Sequence, residues 1–559
     1  MTTTAFRATR IAAGPRDDRP SAAGLLLLAL LLPGAPLAAA EPSTQRPNIL
    51  LILADDLGWS DLGCYGGEIA TPNIDTLARD GLRFHQFYNS ARCSPSRAGL
   101  LTGLTPHQAG FPNLGGTLPG NAVTIAEVAR GAGYRTSMVG KWHLNEKTPP
   151  TTRGFDEFFG MLGGFNSYWQ ESPFYTRWPQ DHARRTYAKG EFYSTNAFAD
   201  YAIDFIGADD HGPWLQYLAF NAPHFPLHAP EADITHYQEL YTTKGWDVIR
   251  AERLARQKQL GLVPADLELT PRSVIPRNPF NTKTGWADKE NPAWDSLPED
   301  RRRDLGRRMA VFAAAVTVMD RAVGRVVAHL KASGQFERTA IFFLSDNGAC
   351  AEWDPFGFNG SSGPTNLLVT GDELKRYGAP ASYISYGSGW AHACNTPWRL
   401  FKHYMQEGGV RTPFIAHWPA GLRAHGMVED VGYITDLMPT VCALAGATYP
   451  AQRNGTPVLP EEGVSLLPVI NGGHLATRQL CIEHEGNRSI RAGDWKLVAL
   501  HDHPWELYDL AKDPTEMHDL AAQQPQRVTE LAAAWEAWAL RCGVTGRHPG
   551  KNKDREERE

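Results

Sequence analysis

The chain has no excess of basic residues: 55 Lys and Arg stand against 61 Asp and Glu, for a formal net charge of −6. It therefore carries no electrostatic footprint for nucleic acid or an anionic membrane, although one cleft can still be positive. Cysteine is scarce, seven in 559 residues, and the spacings of Cys64, Cys93, Cys350, Cys394, Cys442, Cys481 and Cys542 fit no zinc pattern. No segment has the length and apolar continuity of a transmembrane helix. Internal repeats and extended low-complexity tracts are also lacking. What is left is a large globular chain, long enough for two or more domains or subdomains.

Residues 1–40 read as a secretory signal peptide: arginines at 7, 10, 16 and 19, an apolar run over 22–32, and Ala38-Ala39-Ala40 ahead of Glu41. The run is too short to span a bilayer comfortably, so the expected product is exported, periplasmic or extracellular, with no membrane anchor after cleavage. An odd cysteine count in an oxidising compartment asks for an explanation. If other chemistry consumes one cysteine, six remain.

The apolar run over 47–57 ends in Asp55-Asp56 and reads as a strand buried on both faces. Further strands are expected at 134–143, 214–220, 339–344 and just after Arg411, with helices at 71–83, 123–131, 299–332 and 433–445. Residues 237–297, rich in proline, tryptophan and charge, read as an excursion over the sheet with only a short helical patch at 247–260. The expected fold class is α/β: a large mixed, mostly parallel sheet flanked by helices, with a smaller C-terminal antiparallel-sheet-plus-helix subdomain. The expected boundaries are a catalytic domain over 41–479, the small subdomain over 480–545 and a charged disordered tail over 546–559.

Residues 89–103, N-S-A-R-C-S-P-S-R-A-G-L-L-T-G, hold the most informative stretch. Ser94 suits a helix cap and Pro95 the first helical position, which places Cys93 at a helix N-terminus, where an anion is favoured. Arg97 follows one turn on. A small buried cysteine with a structural arginine is the alternative for this stretch alone. Ligands of parallel sheets bind beyond the carboxyl ends of the strands, and the polar residues fall there: Asp55 and Asp56, Lys141 and His143, His224, and Asp346-Asn347. Lys402 in L-F-K-H-Y joins them. Taken singly, each is as well read as a turn, a cap or a satisfied core group. Together, hard oxygen donors suited to calcium or magnesium, with cationic side chains around a helix N-terminus, describe a site for phosphate or sulfate esters. The residues alone leave both anions open.

C-S-P-S-R at 93–97, followed by A-G-L-L-T-G, resembles the C-x-P-x-R signature of the formylglycine-dependent sulfatases, arylsulfatase-like members of the alkaline phosphatase superfamily. G-Y-R-T-S-M-V-G-K-W-H-L at 133–144 is similar to their second signature, and the likeness runs from residue 47 to about 520. It implies that a formylglycine-generating enzyme converts Cys93 to Cα-formylglycine. It also implies that calcium is bound by Asp55, Asp56, Asp346, Asn347 and the modified Cys93. Arg97 would stabilise the aldehyde hydrate, Lys141 contact the sulfate, His143 assist elimination, and His224 and Lys402 serve the bridging oxygen, with His224 as proton donor. The implied reaction hydrolyses aryl or carbohydrate sulfate esters to alcohol or phenol plus inorganic sulfate. One hydroxyl of the hydrate attacks sulfur, and the other allows sulfate to leave as the aldehyde reforms.

Two other readings compete with this one. The first is a phosphomonoester or phosphonate hydrolase on the same fold; the second is a calcium-stabilised secreted binding protein that performs no chemistry. Tyr168, Trp169, Trp353, Trp390 and His392 fit a substrate pocket or a core equally well.

Overall fold

The run before Asp55 forms strand β1 (Asn48–Ala54), buried along its whole length. Its alternate residues feed two cores: Leu50, Ile52 and Ala54 face one, Ile49, Leu51 and Leu53 the other. A strand covered on both faces needs no polar alternation, which is why the run is uniformly apolar. The computed structural model describes residues 46–207 and 212–544. The segments read as signal peptide and charged tail lie outside the described residues.

Around β1 the chain adds β2 (Leu82–Tyr88), β3 (Arg135–Lys141), β4 (Glu157–Met161), β5 (Thr176–Trp178), β6 (Trp214–Ala219), β7 (Thr339–Ser345), β8 (Arg411–His417) and β9 (Gly426–Tyr433). They form one sheet in the order β5-β4-β3-β6-β1-β7-β8-β2-β9. The central β3, β6, β1 and β7 are mutually parallel, while β8 runs antiparallel to both β7 and β2. The sheet is mixed, and its parallel centre brings four strand ends to one edge.

The helix Glu299–Ala332 covers one face, and its apolar positions Met309, Phe312, Val316, Met319 and Val323 are fully buried. The helices Ile125–Gly131 and Leu437–Ala445 cover the other. Thr124 caps the first of these by a reciprocal bond with Glu127, and Gly446 ends the second with φ 60°.

Three sequence expectations change. The excursion over 237–297, read with only a short helical patch at 247–260, begins instead inside a longer helix, Glu231–Gln259, that breaks at Gly245, φ 65°. Ile234, Tyr237 and Tyr241 form the buried stripe, which the charged residues between them disguise. A side chain at Gly245 would meet the Trp294 ring at 2.1 Å, so the break is fixed by packing as well as by backbone. The helix expected over 71–83 ends at Arg79, because Leu82–Tyr88 pairs with β8 and β9 instead. The helix expected over 433–445 starts at Leu437, after β9 and a single 3-10 turn.

A two-stranded hairpin, β10 (Gln452–Arg453) with β11 (Thr456–Pro457), precedes the C-terminal sheet. That sheet is an antiparallel meander of β12 (Gln479–His484), β13 (Asn487–Ala492), β14 (Trp495–Ala499) and β15 (Glu506–Asp509). The helix Pro525–Cys542 closes its own small core through Leu531, Trp535 and Ala539 against Ile490, Leu497 and Leu507. Buried Glu407 fastens the two sheets, accepting from Lys496 at 2.7 Å and from Tyr88 at 2.9 Å. All seven cysteines are free, and no helix among the described residues is long and apolar enough to cross a membrane.

Candidate active site

Three strand ends are tied together before any side chain is considered. Asp55 N–H donates to Ala222 C=O beyond β6 (3.1 Å), and Asp346 N–H donates to Ala54 C=O (3.2 Å). Asp56 turns out of β1 at φ 65° and donates its N–H to Asp346 Oδ1 at 3.3 Å. All three carboxylates are buried, as are Asn347, Arg97, Lys141 and Lys402.

Cys93 is the first residue of a fully buried helix, Cys93–Thr102. Extended Arg92 holds the cap position, so Ser94 is not the cap and Pro95 falls third in the helix, not first. Proline is tolerated there because first-turn N–H groups have no acceptor within the helix. The first intrahelical bond runs from Ser96 N–H to Arg92 C=O, 2.9 Å. Cys93 thus keeps the helix N-terminus, with the charges of Arg92, Arg97 and Lys402 within electrostatic reach.

Arg97 is the hub. Its Nε and Nη2 lie 2.9 and 2.8 Å from Asp346 Oδ2, its Nη1 donates to Lys141 C=O at 2.9 Å, and Asp55 Oδ1 is 3.6 Å from Nη2. Lys141 Nζ donates to Asp55 Oδ2 at 2.6 Å. Lys402 Nζ donates to both oxygens of Asp56, at 2.7 and 3.0 Å, and Asn347 Nδ2 donates to Oδ1 at 2.6 Å. His224 Nδ1 donates to Phe225 C=O at 2.6 Å, which turns Nε2 to within 3.5 Å of Asp56 Oδ2. Of the catalytic and metal-binding candidates, all join one network except two. Cys93 is linked by electrostatics, and His143 makes no side-chain hydrogen bond to the others, its Nδ1 being buried without a partner.

Burial and the neighbouring Asp346 push Asp55 up to about 8, against the pull of Lys141 and Arg97. Burial would also raise Asp56, but Lys402 and His224 outweigh it and hold that carboxyl well below the usual range. Burial, reinforced by Lys141 and Lys402 and opposed by Asp56, lowers His224 to about 3. Burial followed by Lys141 and Arg97 keeps His143 well below 6.5. Both histidines are neutral without a bound anion.

The donor set fits a hard cation. Asp55 Oδ1 and Asn347 Oδ1 are buried with no hydrogen-bond partner, in a cluster whose other donors are carboxylate oxygens. Three carboxylates face three fixed cations here, Arg97, Lys141 and Lys402. A divalent ion added to that balance leaves net positive charge for an anionic ester.

The sequence reading missed several neighbours. Arg92 pairs with Glu352 at 3.2 Å and also contacts His403. Arg92 and His403 could have been found as chain neighbours of Cys93 and Lys402; Glu352 gives no such signal. Phe165, 38% exposed, lies parallel to the His224 ring at 6.1 Å. Among the aromatic candidates, Trp390 and His392 are buried core groups. Tyr168 donates toward the Asn221 and His224 carbonyls at 2.6 and 2.7 Å, fixing the loop that carries His224. Trp169 is partly buried, and its Nε1 donates to Gly378 C=O. Trp353 is partly buried, stacked on Phe280 of the excursion at 4.6 Å and tilted over the ring of His403, the neighbour of Lys402, at 5.7 Å.

Residues 47–447 match the family model described as Sulfatase, and residues 397–536 match the C-terminal model of N-sulphoglucosamine sulphohydrolase. The arylsulfatase of Klebsiella aerogenes is 32% identical over 466 residues, covering 78% of this chain and 94% of that protein. The human N-acetylgalactosamine-6-sulfatase is 29% identical, covering 79% and 69%. Among solved structures, Ps i-CgsB in complex with k-i-k-neocarrahexaose superposes with a TM-score of 0.62 at 26% identity, covering 89% of this chain and 93% of that one. The phosphonate monoester hydrolase of Agrobacterium radiobacter shares the fold, TM-score 0.54, at 22% identity over 89% of this chain and 96% of that one.

Proposed function

The chain belongs to the sulfatase family and is a sulfuric ester hydrolase, and from that premise we propose that it cleaves aryl or carbohydrate sulfate esters with a formylglycine made from Cys93 and a calcium ion held by Asp55, Asp56, Asp346, Asn347 and residue 93. The observation that carries this reading is the buried cluster in which Asp55 Oδ1 and Asn347 Oδ1 lack partners beside a cysteine at a helix N-terminus. Conversion of Cys93 would supply a geminal diol as nucleophile, and calcium would draw off charge from the sulfate oxygens.

This chain's own side chains supply the remaining steps. Arg97, fixed by Asp346 and the Lys141 carbonyl, orients residue 93 from one turn further along the helix. Lys141 and Lys402 hold the ester by exchanging part of their bond to Asp55 and Asp56 for a sulfate oxygen. The proton for the leaving oxygen resides on His224 Nε2, because Nδ1–H is committed to Phe225 C=O. With His224 lowered to about 3 by burial in the free enzyme, it takes up that proton only beside the negative ester. Neutral His143 is then the base that accepts a proton from residue 93 as sulfate is released.

The same reading includes export after cleavage near residue 40 and conversion of Cys93 by a formylglycine-generating enzyme. Mass spectrometry of the peptide containing Cys93, paired with turnover of matched aryl sulfate and aryl phosphate esters, tests it. An active preparation carrying only the thiol would refute the formylglycine. A strong phosphate preference would transfer the site to the phosphoester and phosphonate reading, since the fold is common to both. Calcium-dependent folding without turnover of either ester would leave a binding protein.

A further inference from the structure

A second group of metal-ligating side chains stands beside this site and plays no part in the reaction above. His403 follows Lys402, while His484 ends β12 and Glu485 begins the two-residue turn into β13. One ligand atom from each of the three lies within 4.8 Å of the others. From this geometry we infer that His403, His484 and Glu485 form a site for a divalent transition ion, zinc being the probe of choice, that clamps the C-terminal sheet to the loop carrying Lys402.

The hydrogen bonding of His484 supports this most directly. Its side chain is fully buried, and Nδ1 lies 3.3 Å from Pro112 C=O, an acceptor, so Nδ1 carries the proton. The bare Nε2 has no hydrogen-bond partner and faces Glu485 Oε1 at 3.5 Å, a lone pair against a carboxylate. A divalent ion between the two atoms would satisfy both, in place of the second ring proton that the pair otherwise requires. On the other side Glu485 Oε2 is 3.0 Å from His403 Nδ1. Tetrahedral zinc with bonds of about 2.0–2.1 Å spaces its ligand atoms about 3.3 Å apart, which falls between these two separations. Two imidazoles and a carboxylate are also a donor set suited to zinc and unlike the all-oxygen calcium cluster.

The surroundings fit as well. Glu352 Oε1 lies 3.5 Å from His403 Nε2, an outer carboxylate placed to accept from the ring nitrogen turned away from the ion. Arg92 Nη1 contacts both ring nitrogens of His403, Nδ1 at 3.2 Å, and is paired with Glu352 at 3.2 Å, so an ion on Nδ1 requires the guanidinium to turn toward Glu352. The Glu485 side chain is 40% exposed, which leaves an entry path and a place for water as fourth ligand. His403 itself sits at φ 84°, its N–H bonded to Ala91 C=O (3.0 Å) and its C=O to Asn487 Nδ2 (3.2 Å), so both halves of the site are fixed in advance. This inference does not depend on whether Cys93 is converted.

The test uses the full-length, calcium-saturated protein stripped of transition metals by a chelator. Zinc binding is followed by calorimetry, and cobalt(II) substitution by its visible absorption bands. The expected result is one zinc per chain that excess calcium does not displace, and a cobalt spectrum of low-coordinate nitrogen-oxygen type. His484→Ala and, as the gentler change, Glu485→Gln should each weaken binding at least about 100-fold, with calcium binding and the far-ultraviolet spectrum unchanged. No zinc uptake at tens of micromolar by the folded protein would overturn the proposal. Uptake of equal affinity in both variants would do the same, because the ion would then sit elsewhere.

Discussion

In the cluster of Asp55, Asp56 and Asp346, each carboxyl group meets a cationic side chain where solvent does not reach, with Arg97, Lys141 and Lys402 at 2.6–3.6 Å. In the cluster of His403, His484 and Glu485, one nitrogen lacks a hydrogen bond and one carboxylate is 40% exposed. The first is assembled from the ends of strands in one sheet, the second from a hairpin turn of another sheet laid against a loop. A sealed set of charges is tolerable only while complete, since each charge is desolvated and kept only by its partners. A half-open set can lose a member and let water replace it. Damage to the two regions should therefore differ in size and in kind.

The largest effect separates chemistry from fold. Cys93→Ala should reduce sulfate release to background and leave the melting temperature nearly unchanged, because the thiol has no hydrogen-bonded role in the charge network. Sulfate release in a stopped assay, read beside a thermal melt, decides it; retained activity would remove residue 93 from the reaction. The next effect falls on the fold. Arg97→Leu strands Asp346 and Asp55 in the interior and should cost about 3–5 kcal/mol in denaturant unfolding, as breaking a buried pair does. Added calcium should recover part of that loss, since the ion replaces the missing positive charge. An equal loss with and without calcium would show that the carboxylates do not hold the ion.

Much of this was legible in the sequence, and the reasons differ by region. Uniform apolar runs announced β1, β6 and β7 because a central parallel strand has no solvent face, and the residue ending such a run marks the site edge. Asp55, Asp56, Asp346 and Asn347 were found in that way. Strands β2 and β4 were missed although both lie inside the sheet: half-buried Arg83, His85 and Gln86 interrupt the apolar pattern of β2, and β4 has only five residues. The small sheet was legible from its short, spaced strands, yet His484 and Glu485 were not, since a hairpin turn looks like any polar turn until the opposite loop is placed against it. Glu352 carried no sequence signal at all: its meaning comes only from Arg92 and His403, reached through the fold.

Calcium removal sharpens the contrast through pH. With burial and Asp346 raising Asp55 to about 8, the metal-free fold holds a proton at neutral pH that the unfolded chain, near 3.8, does not. That group's stabilisation of the metal-free fold is fully present below about 4 and is lost as pH rises through about 8. Calcium must displace the proton, so its apparent affinity should fall up to about tenfold per pH unit below that point. Calorimetry in two buffers of different ionisation enthalpy should register about one proton released per calcium at pH 7. Titrating calcium with no proton release would mean that Asp55 is already ionised in the metal-free protein.

The smallest effect belongs to the half-open cluster. With calcium bound and transition metals excluded, Glu485→Gln should change unfolding free energy by only about 0–1 kcal/mol, the range for a partly exposed ion pair. The glutamine still offers an oxygen to His403 Nδ1, and water can reach the remainder of a side chain that is 40% exposed. Zinc should enlarge the difference between wild type and variant by stabilising the wild type alone, with a melting temperature that climbs with zinc concentration. A loss of several kcal/mol without zinc would place Glu485 among the sealed charges and erase the distinction between the two regions.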